Sequence, residues 1–261
     1  MKHTGERDIP EEVFMNPRFQ REMACYEFCE RYVKNKFVLD QGCGEGYGTF
    51  YFSQHAFQVI GIDAFHGVIK EAQRKYQRAN LKFCTMDVTR LGFADESFDI
   101  TTSMAVIEHI KDYPRHIEEA ARITKPGGIF ILSALNSLQS LHDDAFHFNE
   151  FDNFQLKEML EPYFIDLDIY GLRGITQRVI RYRKDRQKYA RKFIRFDPLN
   201  LRKFIPQQVY SKIYNFFQTK MRIELKNKYN DDINQITTED FSVTKNKLES
   251  AWNFICVAKK K

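Results

Sequence analysis

The sequence of 261 residues has few of the features that mark a secreted or membrane-spanning protein. It contains no run of 18 consecutive apolar residues, which a spanning helix would need, and no apolar N-terminal stretch of the kind that directs secretion. Its five cysteines are odd in number and contain no C-x-x-C pair. We therefore expect reduced, mostly buried thiols instead of disulfides or a zinc site, and a cytoplasmic location.

Two common nucleotide-binding signatures are also absent from the glycine-rich segment Val38–Gly48. The dinucleotide pattern G-x-G-x-x-G would need a glycine at position 47 or 49, where the chain has Tyr47 and Thr49. A phosphate-binding loop would need a glycine followed by lysine, and no glycine of this segment is followed by lysine. What is present is an apolar run, then Asp40, then a glycine at every second position up to Gly48. Since glycine accepts backbone angles that a Cβ forbids, this pattern predicts a strand and a turn on which a nucleotide lies against bare backbone.

Acidic residues follow the next two predicted strands. The strand Val59–Ile62 ends at Asp63, which lies 17 residues beyond Gly46. Nucleotide-binding α/β units place at about this distance the carboxylate that accepts the ribose hydroxyl hydrogens. The third predicted strand, Leu81–Cys84, leads to Asp87. Both acids are therefore candidates for contact with a nucleotide.

Two further markers accompany the fourth and fifth predicted strands, Phe98–Met104 and Ile129–Ser133. Glu108-His109 follows the fourth strand, and the turn Lys125–Gly128 precedes the fifth. Taken in order with the glycine-rich segment and the two acids, these features resemble the motifs of the class I S-adenosylmethionine-dependent methyltransferases. The resemblance extends over roughly residues 37–172.

The resemblance implies a Rossmann-like, doubly wound α/β fold with a seven-stranded, mostly parallel sheet whose last strand is antiparallel. It implies S-adenosyl-L-methionine as the methyl donor and S-adenosyl-L-homocysteine as the product. In this family the acid at Asp87 faces the adenine amine. Family members often carry an acid where this chain has Met104, so the role of that acid is not carried over. The residues assigned to the cofactor site are Asp40, Gly42, Cys43, Gly44, Gly46, Tyr47, Asp63, Ala64, Asp87, Val88 and Met104.

The N-terminal residues Thr4–Arg7, followed by Pro10, resemble a narrower subgroup of these enzymes. Members of this subgroup often serve bacterial cell-surface glycan and lipopolysaccharide pathways. Arg7 is a further candidate for contact with the cofactor or the acceptor. The resemblance therefore favours a glycan-type acceptor.

His109 and His147 are the candidates for a catalytic base, because histidine titrates in the useful pH range. His109 follows the fourth strand, at the edge where this fold binds ligands. The alternative interpretation is that Glu108-His109 only fixes its loop by hydrogen bonds. His147 lies in a segment that resembles one bordering the acceptor site in the family, and its alternative is a surface position.

A cluster of imidazoles and carboxylates near residue 145 could bind a divalent metal. Its members are His142, Asp143, Asp144, His147 and Glu150. Their spacing follows no fixed ligand pattern, so a solvated loop is favoured and no metal is predicted.

Charge and periodicity divide the chain into three predicted parts. Residues 1–36 form an N-terminal helical cap, residues 37–172 with 248–261 form the cofactor-binding core, and residues 173–247 form a helical insertion before the last strand. The segment from Arg173 to Lys228 has a net charge of +14, so the rest of the chain carries −9. Within the insertion, Asp231–Asp240 is predicted to be a mobile acidic stretch.

The predicted function is transfer of a methyl group to a small-molecule or glycan- or lipid-linked acceptor, at oxygen. The basic insertion leaves RNA methylation as an alternative, although no RNA-binding module is recognisable. A non-catalytic subunit that kept the fold is the alternative from another class. Residues 175–196 could also contact an anionic membrane surface, whereas the simplest interpretation is an apolar stripe packed on the core with its charges solvated.

Overall fold

The structure is a computed structural model that describes residues 16–140, 147–195 and 207–261. Thr4–Arg7 and the loop residues His142, Asp143 and Asp144 lie outside these ranges. The expectations attached to those residues therefore stay predictions.

Eight β-strands and seven α-helices occur in the described ranges. The strands are β1 (Phe37–Gln41), β2 (Gln58–Asp63), β3 (Leu81–Thr85), β4 (Phe98–Met104), β5 (Thr124–Leu135), β6 (Phe164–Gly174), β7 (Phe241–Thr244) and β8 (Asn253–Lys260). The helices are α1 (Asn16–Val33), α2 (Tyr47–Phe52), α3 (His66–Lys75), α4 (Tyr113–Ile123), α5 (Asn153–Leu160), α6 (Gln177–Arg195) and α7 (Gln207–Asn234).

All eight strands form one mixed sheet in the order β3-β2-β1-β4-β5-β8-β6-β7. Strands β1 to β5 run parallel to one another, whereas β8 is antiparallel to both β5 and β6. The predicted Rossmann-like, doubly wound class is confirmed, with one strand more than the seven predicted. The order reverses between β1 and β4, and ligands of such sheets bind at the carboxyl ends of the strands beside that switch point.

The additional strand, β7, lies inside the segment 173–247 that was predicted to be helical, and it pairs with β6 at the sheet edge. The prediction that Asp231–Asp240 is mobile was wrong at its C-terminal end. Asp240 is buried because its carboxylate accepts a hydrogen bond from the Thr176 hydroxyl and pairs with Arg178 at 3.0 Å. An acidic run predicts exposure to solvent, but Thr176 and Arg178, which lie outside this run, compensate the negative charge of Asp240.

The predicted turn Lys125–Gly128 becomes a bulge within β5. Phe98 of β4 pairs with Thr124, whereas Ile100 pairs with Ile129. The turn residues therefore have no opposite partners in β4 and bulge out of the ladder.

The helices on the two faces of the sheet bury separate apolar clusters. One cluster joins α1, α2 and α3 to the sheet and includes Cys25, Cys29, Phe52 and Ile69. The other places α4 and α5 against β5 and β8, and it includes Ile117, Leu156, Phe130 and Phe254. With both faces covered, the central strands are buried and only their ends are available for ligand binding.

The insertion helices pack against each other through a buried acid. Asp185 of α6 accepts a hydrogen bond from the Tyr229 hydroxyl at 2.7 Å and pairs with Lys228, both on α7. Four residues beyond Tyr229, near the C-terminus of α7, the Ile233 carbonyl accepts a hydrogen bond from the Asn16 side-chain amide at 2.6 Å. These contacts link the insertion to α1, and the three-part division of the chain stays a prediction.

Four of the five cysteines are buried, and none of the five, all of which lie in described residues, forms a disulfide. In the ranges that the structure covers, no helix combines the length and apolar character needed to cross a membrane.

Replacing Gly48 with alanine should destabilise the fold. A Cβ at Gly48 would lie 2.0 Å from Cζ of Tyr26, and overpacking of this kind costs about 1–3 kcal/mol. Urea unfolding measures the loss. Gly92→Ala is the matched control, since its Cβ would lie 3.6 Å from Met86 Cε and should have little effect. Equal stabilities for the two variants would contradict the close packing of α1 on the glycine-rich loop.

Candidate active site

A cavity of about 420 Å³ opens at the carboxyl ends of β1, β2 and β4. Of the predicted residues, it is lined by Gly42, Cys43, Gly44, Tyr47, Asp63, Ala64, Asp87, Val88, Met104 and His109. Three predicted residues are not among those that line it: Asp40, Gly46 and His147. The cavity thus occupies the switch point of the sheet, where this fold binds ligands.

The glycine-rich loop presents its backbone to this cavity, and its glycines differ in the atoms that surround them. A Cβ at Gly42 would lie 2.5 Å from Val106 Cγ2, and a Cβ at Gly46 would lie 2.9 Å from Phe83. Both glycines therefore allow neighbouring side chains to approach the loop. Gly44 instead has no atom within 4 Å of its Cβ position. With a φ of +52°, it leaves bare backbone at the cavity wall.

Asp63 accepts a backbone hydrogen bond with each carboxylate oxygen, one from the glycine-rich loop and one from the residue before α3. Oδ2 accepts a hydrogen bond from the Gly44 backbone N–H at 3.1 Å, and Oδ1 accepts one from the Phe65 N–H at 2.9 Å. The residue is 9% exposed and lines the cavity. Because each carboxylate oxygen can accept more than one hydrogen bond, Asp63 can organise the loop and still bind ligand hydroxyls.

Asp40 is fully buried, and three hydroxyl groups surround its carboxylate. It accepts hydrogen bonds from Thr49 at 2.7 Å, from Thr102 at 2.8 Å and from Tyr26 at 3.3 Å. Burial raises the pKa of Asp40 to about 6, and the three hydrogen bonds oppose that rise. The predicted contact of Asp40 with the cofactor therefore has no direct geometric support, whereas its role in joining α1, α2 and β4 is clear.

The acid after β3 lies at the cavity wall but has local partners. Oδ1 of Asp87 accepts hydrogen bonds from the N–H and the hydroxyl of Thr89, both at 2.8 Å. These bonds form a turn that orients the carboxylate. Its second oxygen is the one suited to the predicted contact with an adenine amine.

Helix α1 contributes three cavity residues that were not predicted: Arg18, Glu22 and Tyr26. They recur every fourth residue and so share one face of the helix. That spacing was visible in the sequence, but the face mixes charged and aromatic residues and carries no amphipathic signal. Phe65, Ala105, Val106, Ile110 and Phe148 complete the unpredicted lining, together with Glu45.

Glu108 and the two candidate histidines lie together beside the cavity, and His109 is the one of the three that lines it. The His109 and His147 rings are 5.0 Å apart and in edge-to-face contact. Glu108 is buried, and burial raises its pKa to about 7, against the lowering effect of His147. His147 Nδ1 lies 3.4 Å from Glu150 Oε1. The fold therefore brings together two histidines that are far apart in the sequence.

This arrangement of glycine loop, strand-end acids and cavity defines a Rossmann-like, nucleotide-binding type of domain. Comparison with known families agrees, because residues 39–132 match the model of the methyltransferase domain family. This part of the chain is therefore similar to the methyltransferase domain family, in agreement with the resemblance that its motifs carry. The narrower subgroup marked by Thr4–Arg7 is not confirmed.

Curated relatives match the same part of the chain. A probable S-adenosylmethionine-dependent methyltransferase of Mycolicibacterium smegmatis is 31% identical over 163 residues, which are 60% of this chain and 63% of that protein. A ubiquinone biosynthesis O-methyltransferase of Coxiella burnetii is 34% identical over 106 residues, or 40% of this chain and 45% of that protein. The matches therefore span less than two thirds of either relative.

A solved structure resembles the whole chain. The crystal structure of a SAM-dependent methyltransferase from Thermotoga maritima covers all of both chains with a TM-score of 0.63 and 14% sequence identity. At this identity the likeness establishes the fold.

Asp40→Asn should become more stable relative to the wild type as the pH rises. The folded-state pKa of about 6 exceeds the unfolded value of about 3.9, so the native state binds the extra proton between these values. The free energy of unfolding that protonated Asp40 contributes to the wild type is therefore lost as the pH rises through about 6. The loss amounts to at most about 3 kcal/mol. Urea unfolding of both proteins between pH 4 and 7 measures the difference.

Asp99→Asn is the control for this pH dependence. The Asp99 carboxylate accepts from Lys125 and from the Phe37 N–H, and these partners lower its pKa. The stability that the Asp99 carboxylate contributes is present above its unfolded pKa of about 3.9 and is lost only below it. The difference between Asp99→Asn and the wild type should therefore stay nearly constant between pH 4 and 7. If the stability difference between Asp40→Asn and the wild type does not change with pH, burial does not raise the pKa of the Asp40 carboxylate.

Proposed function

We propose that this protein transfers the methyl group of S-adenosylmethionine to an oxygen atom of a small-molecule or glycan- or lipid-linked acceptor. The observation that carries the proposal is the cavity in which bare backbone at Gly44, the Asp63 carboxylate and His109 meet. The methyltransferase domain match and the names of the curated relatives support S-adenosylmethionine as the cofactor. The cavity volume of about 420 Å³ lies in the usual range for small-molecule sites.

In this proposal the donor lies along the glycine-rich loop. Asp63 accepts hydrogen bonds from the ribose hydroxyls, and Asp87 accepts one from the adenine amine. Val88 and Met104 are buried apolar residues of the lining and offer contact surface to the adenosyl group. Asp40 acts indirectly, by holding Thr49 and Tyr26 beneath the loop.

The acceptor then lies towards Glu108, His109 and Phe148. Its oxygen attacks the methyl carbon as the bond from that carbon to sulfur breaks, which leaves S-adenosylhomocysteine. The proton of the hydroxyl passes to a base, and alignment of the two reactants supplies most of the acceleration. Of the two base candidates, His109 lines the cavity and His147 does not, so His109 is the better placed.

The O-methyltransferase name of the Coxiella burnetii relative supports oxygen as the accepting atom. The alternatives of RNA methylation and of a non-catalytic subunit stay predictions. Peripheral contact of residues 175–196 with an anionic membrane also stays a prediction. On α6, Val179 and Ala190 are buried, while Arg181, Lys184 and Lys188 are exposed. Any such contact would therefore rest on charge.

Asp63→Ala should weaken binding of S-adenosylmethionine more than tenfold, because it removes two charge-assisted acceptors from the donor site. Isothermal titration measures the affinity. The matched control is Asp99→Ala, which removes a strand-associated acid that also accepts a backbone N–H but does not line the cavity. If both variants bind the donor as the wild type does, Asp63 has no part in its recognition.

Methyl-labelled S-adenosylmethionine should deliver its label to a small-molecule, glycan or lipid pool when incubated with the protein and fractionated cell extract. An RNase-sensitive label would instead favour RNA methylation. Donor binding without transfer to any fraction, or no donor binding at all, would contradict the proposed function and favour a non-catalytic role. The same assay with the His109→Ala variant shows how far transfer of the label depends on His109.

A further inference from the structure

Three side chains with metal-binding atoms converge beside the cavity. Glu108 and His109 lie in the 3-10 turn Ile107–His109 that follows β4, and His147 comes from the segment before α5. One ligand atom of each lies within 4.8 Å of the others. The backbone holds the two segments together, since the Phe148 N–H donates to the Glu108 carbonyl at 2.7 Å.

The second observation is an unsatisfied buried carboxylate. Glu108 is 2% exposed, and its Oε2 has no hydrogen-bond partner among the described residues. Glu22 is 4% exposed, and its Oε2 also has no hydrogen-bond partner in the part of the chain that the structure describes. Buried polar atoms are nearly always satisfied in folded proteins, and two neighbouring buried acids carry a further cost. A cation bound by Glu108 would remove this cost at its carboxylate.

The third observation is the support behind His147. Nδ1 of this ring faces Glu150 Oε1 at 3.4 Å, and the Ser140 hydroxyl donates to the same oxygen at 2.6 Å. A proton on Nδ1 leaves the lone pair on Nε2. Carboxylates that orient a histidine in this way are typical of the groups that stand behind metal ligands.

We propose that Glu108, His109 and His147 form a site for a divalent first-row metal ion at the acceptor end of the cavity. Two imidazoles and one carboxylate suit Mn²⁺, Fe²⁺ or Zn²⁺ better than Mg²⁺. Three protein ligands leave positions open for acceptor oxygens, whose pKa the ion would lower. The inference rests on the proposed methyl transfer and changes one role in it. With an ion bound, His109 would hold the ion instead of acting as the base, and the acceptor hydroxyl, its pKa lowered by the ion, would lose its proton to solvent before the attack.

This site differs from the loop cluster considered in the sequence. It shares His147 with that cluster, but its other two ligands come from the segment after β4. Those residues lie 38 and 39 positions away in the sequence, so no short ligand motif links them.

Metal binding is tested directly on the full-length protein after removal of metals with a chelator. Isothermal titration with Mn²⁺ and with Zn²⁺ should show one saturable site, and Co²⁺ should give a visible absorption spectrum of nitrogen and oxygen coordination. Glu108→Gln and His147→Gln, which preserve side-chain size or polarity, should each lose at least tenfold in affinity. Glu150→Gln should lose about tenfold, as for groups behind metal ligands.

His55→Ala is the matched control, because His55 Nδ1 lies 3.5 Å from Glu30 on the surface without a third ligand in the described residues. It should bind metal as the wild type does. Absence of a saturable site at millimolar metal would overturn the proposal, as would wild-type affinity in both Glu108→Gln and His147→Gln. Circular dichroism verifies the fold of each variant.

Donor titration on the same samples separates the two proposals. Binding of S-adenosylmethionine without metal binding would defeat only the metal site. Metal binding without donor binding would defeat the proposed methyl transfer and leave the ion site standing.

Discussion

The buried carboxylate of Asp40 is the interaction on which the rest of the site depends. Its three hydroxyl partners come from α1, α2 and β4, so one acid fixes a helix outside the sheet, the helix after the glycine loop and the neighbouring strand. A buried charge is expensive unless it is hydrogen-bonded, and this cost makes the arrangement specific: the three elements must meet at this carboxylate or leave it unsatisfied. The cavity lies directly beside the elements so joined.

The cavity wall divides into two parts with different chemistry. The part that we propose for the donor consists of backbone and of Asp63, whose oxygens already accept two N–H groups and are therefore held in place before a ligand arrives. Such preorganisation is what a methyl transfer needs, because alignment of donor and acceptor accounts for most of its acceleration. The other part contains Glu22 and His109, and Glu108 and His147 lie beside it. Among the described residues, one carboxylate oxygen of Glu22 and one of Glu108 lack hydrogen-bond partners.

The basic insertion is built differently from the core. Two of its acids, Asp185 and Asp240, are buried and pair with lysine, arginine, tyrosine and threonine groups of the insertion itself. Several of its lysines and arginines are exposed instead. The local charge of +14 therefore faces outwards over much of α6, while pairing of the few acids holds the helices together. This division explains how a strongly charged segment packs on an acidic core.

The sequence by itself determined the glycine loop, the acids at the ends of β2 and β3, and the strands of the parallel half of the sheet. These features depend on local sterics and on short-range periodicity, which a single sequence displays. The caps of α4 and α5 were predictable for the same reason, because Asp112 and Asp152 act on N–H groups two or three residues away.

Tertiary structure alone decided the remaining features. It turned Asp40 inwards, placed Arg18, Glu22 and Tyr26 at the cavity, added β7 to the sheet edge, and brought His147 against Glu108 and His109. Each of these outcomes joins residues that are distant along the chain. Their contacts follow from how whole helices and strands pack, and packing of that kind has no signature in the spacing of neighbouring residues.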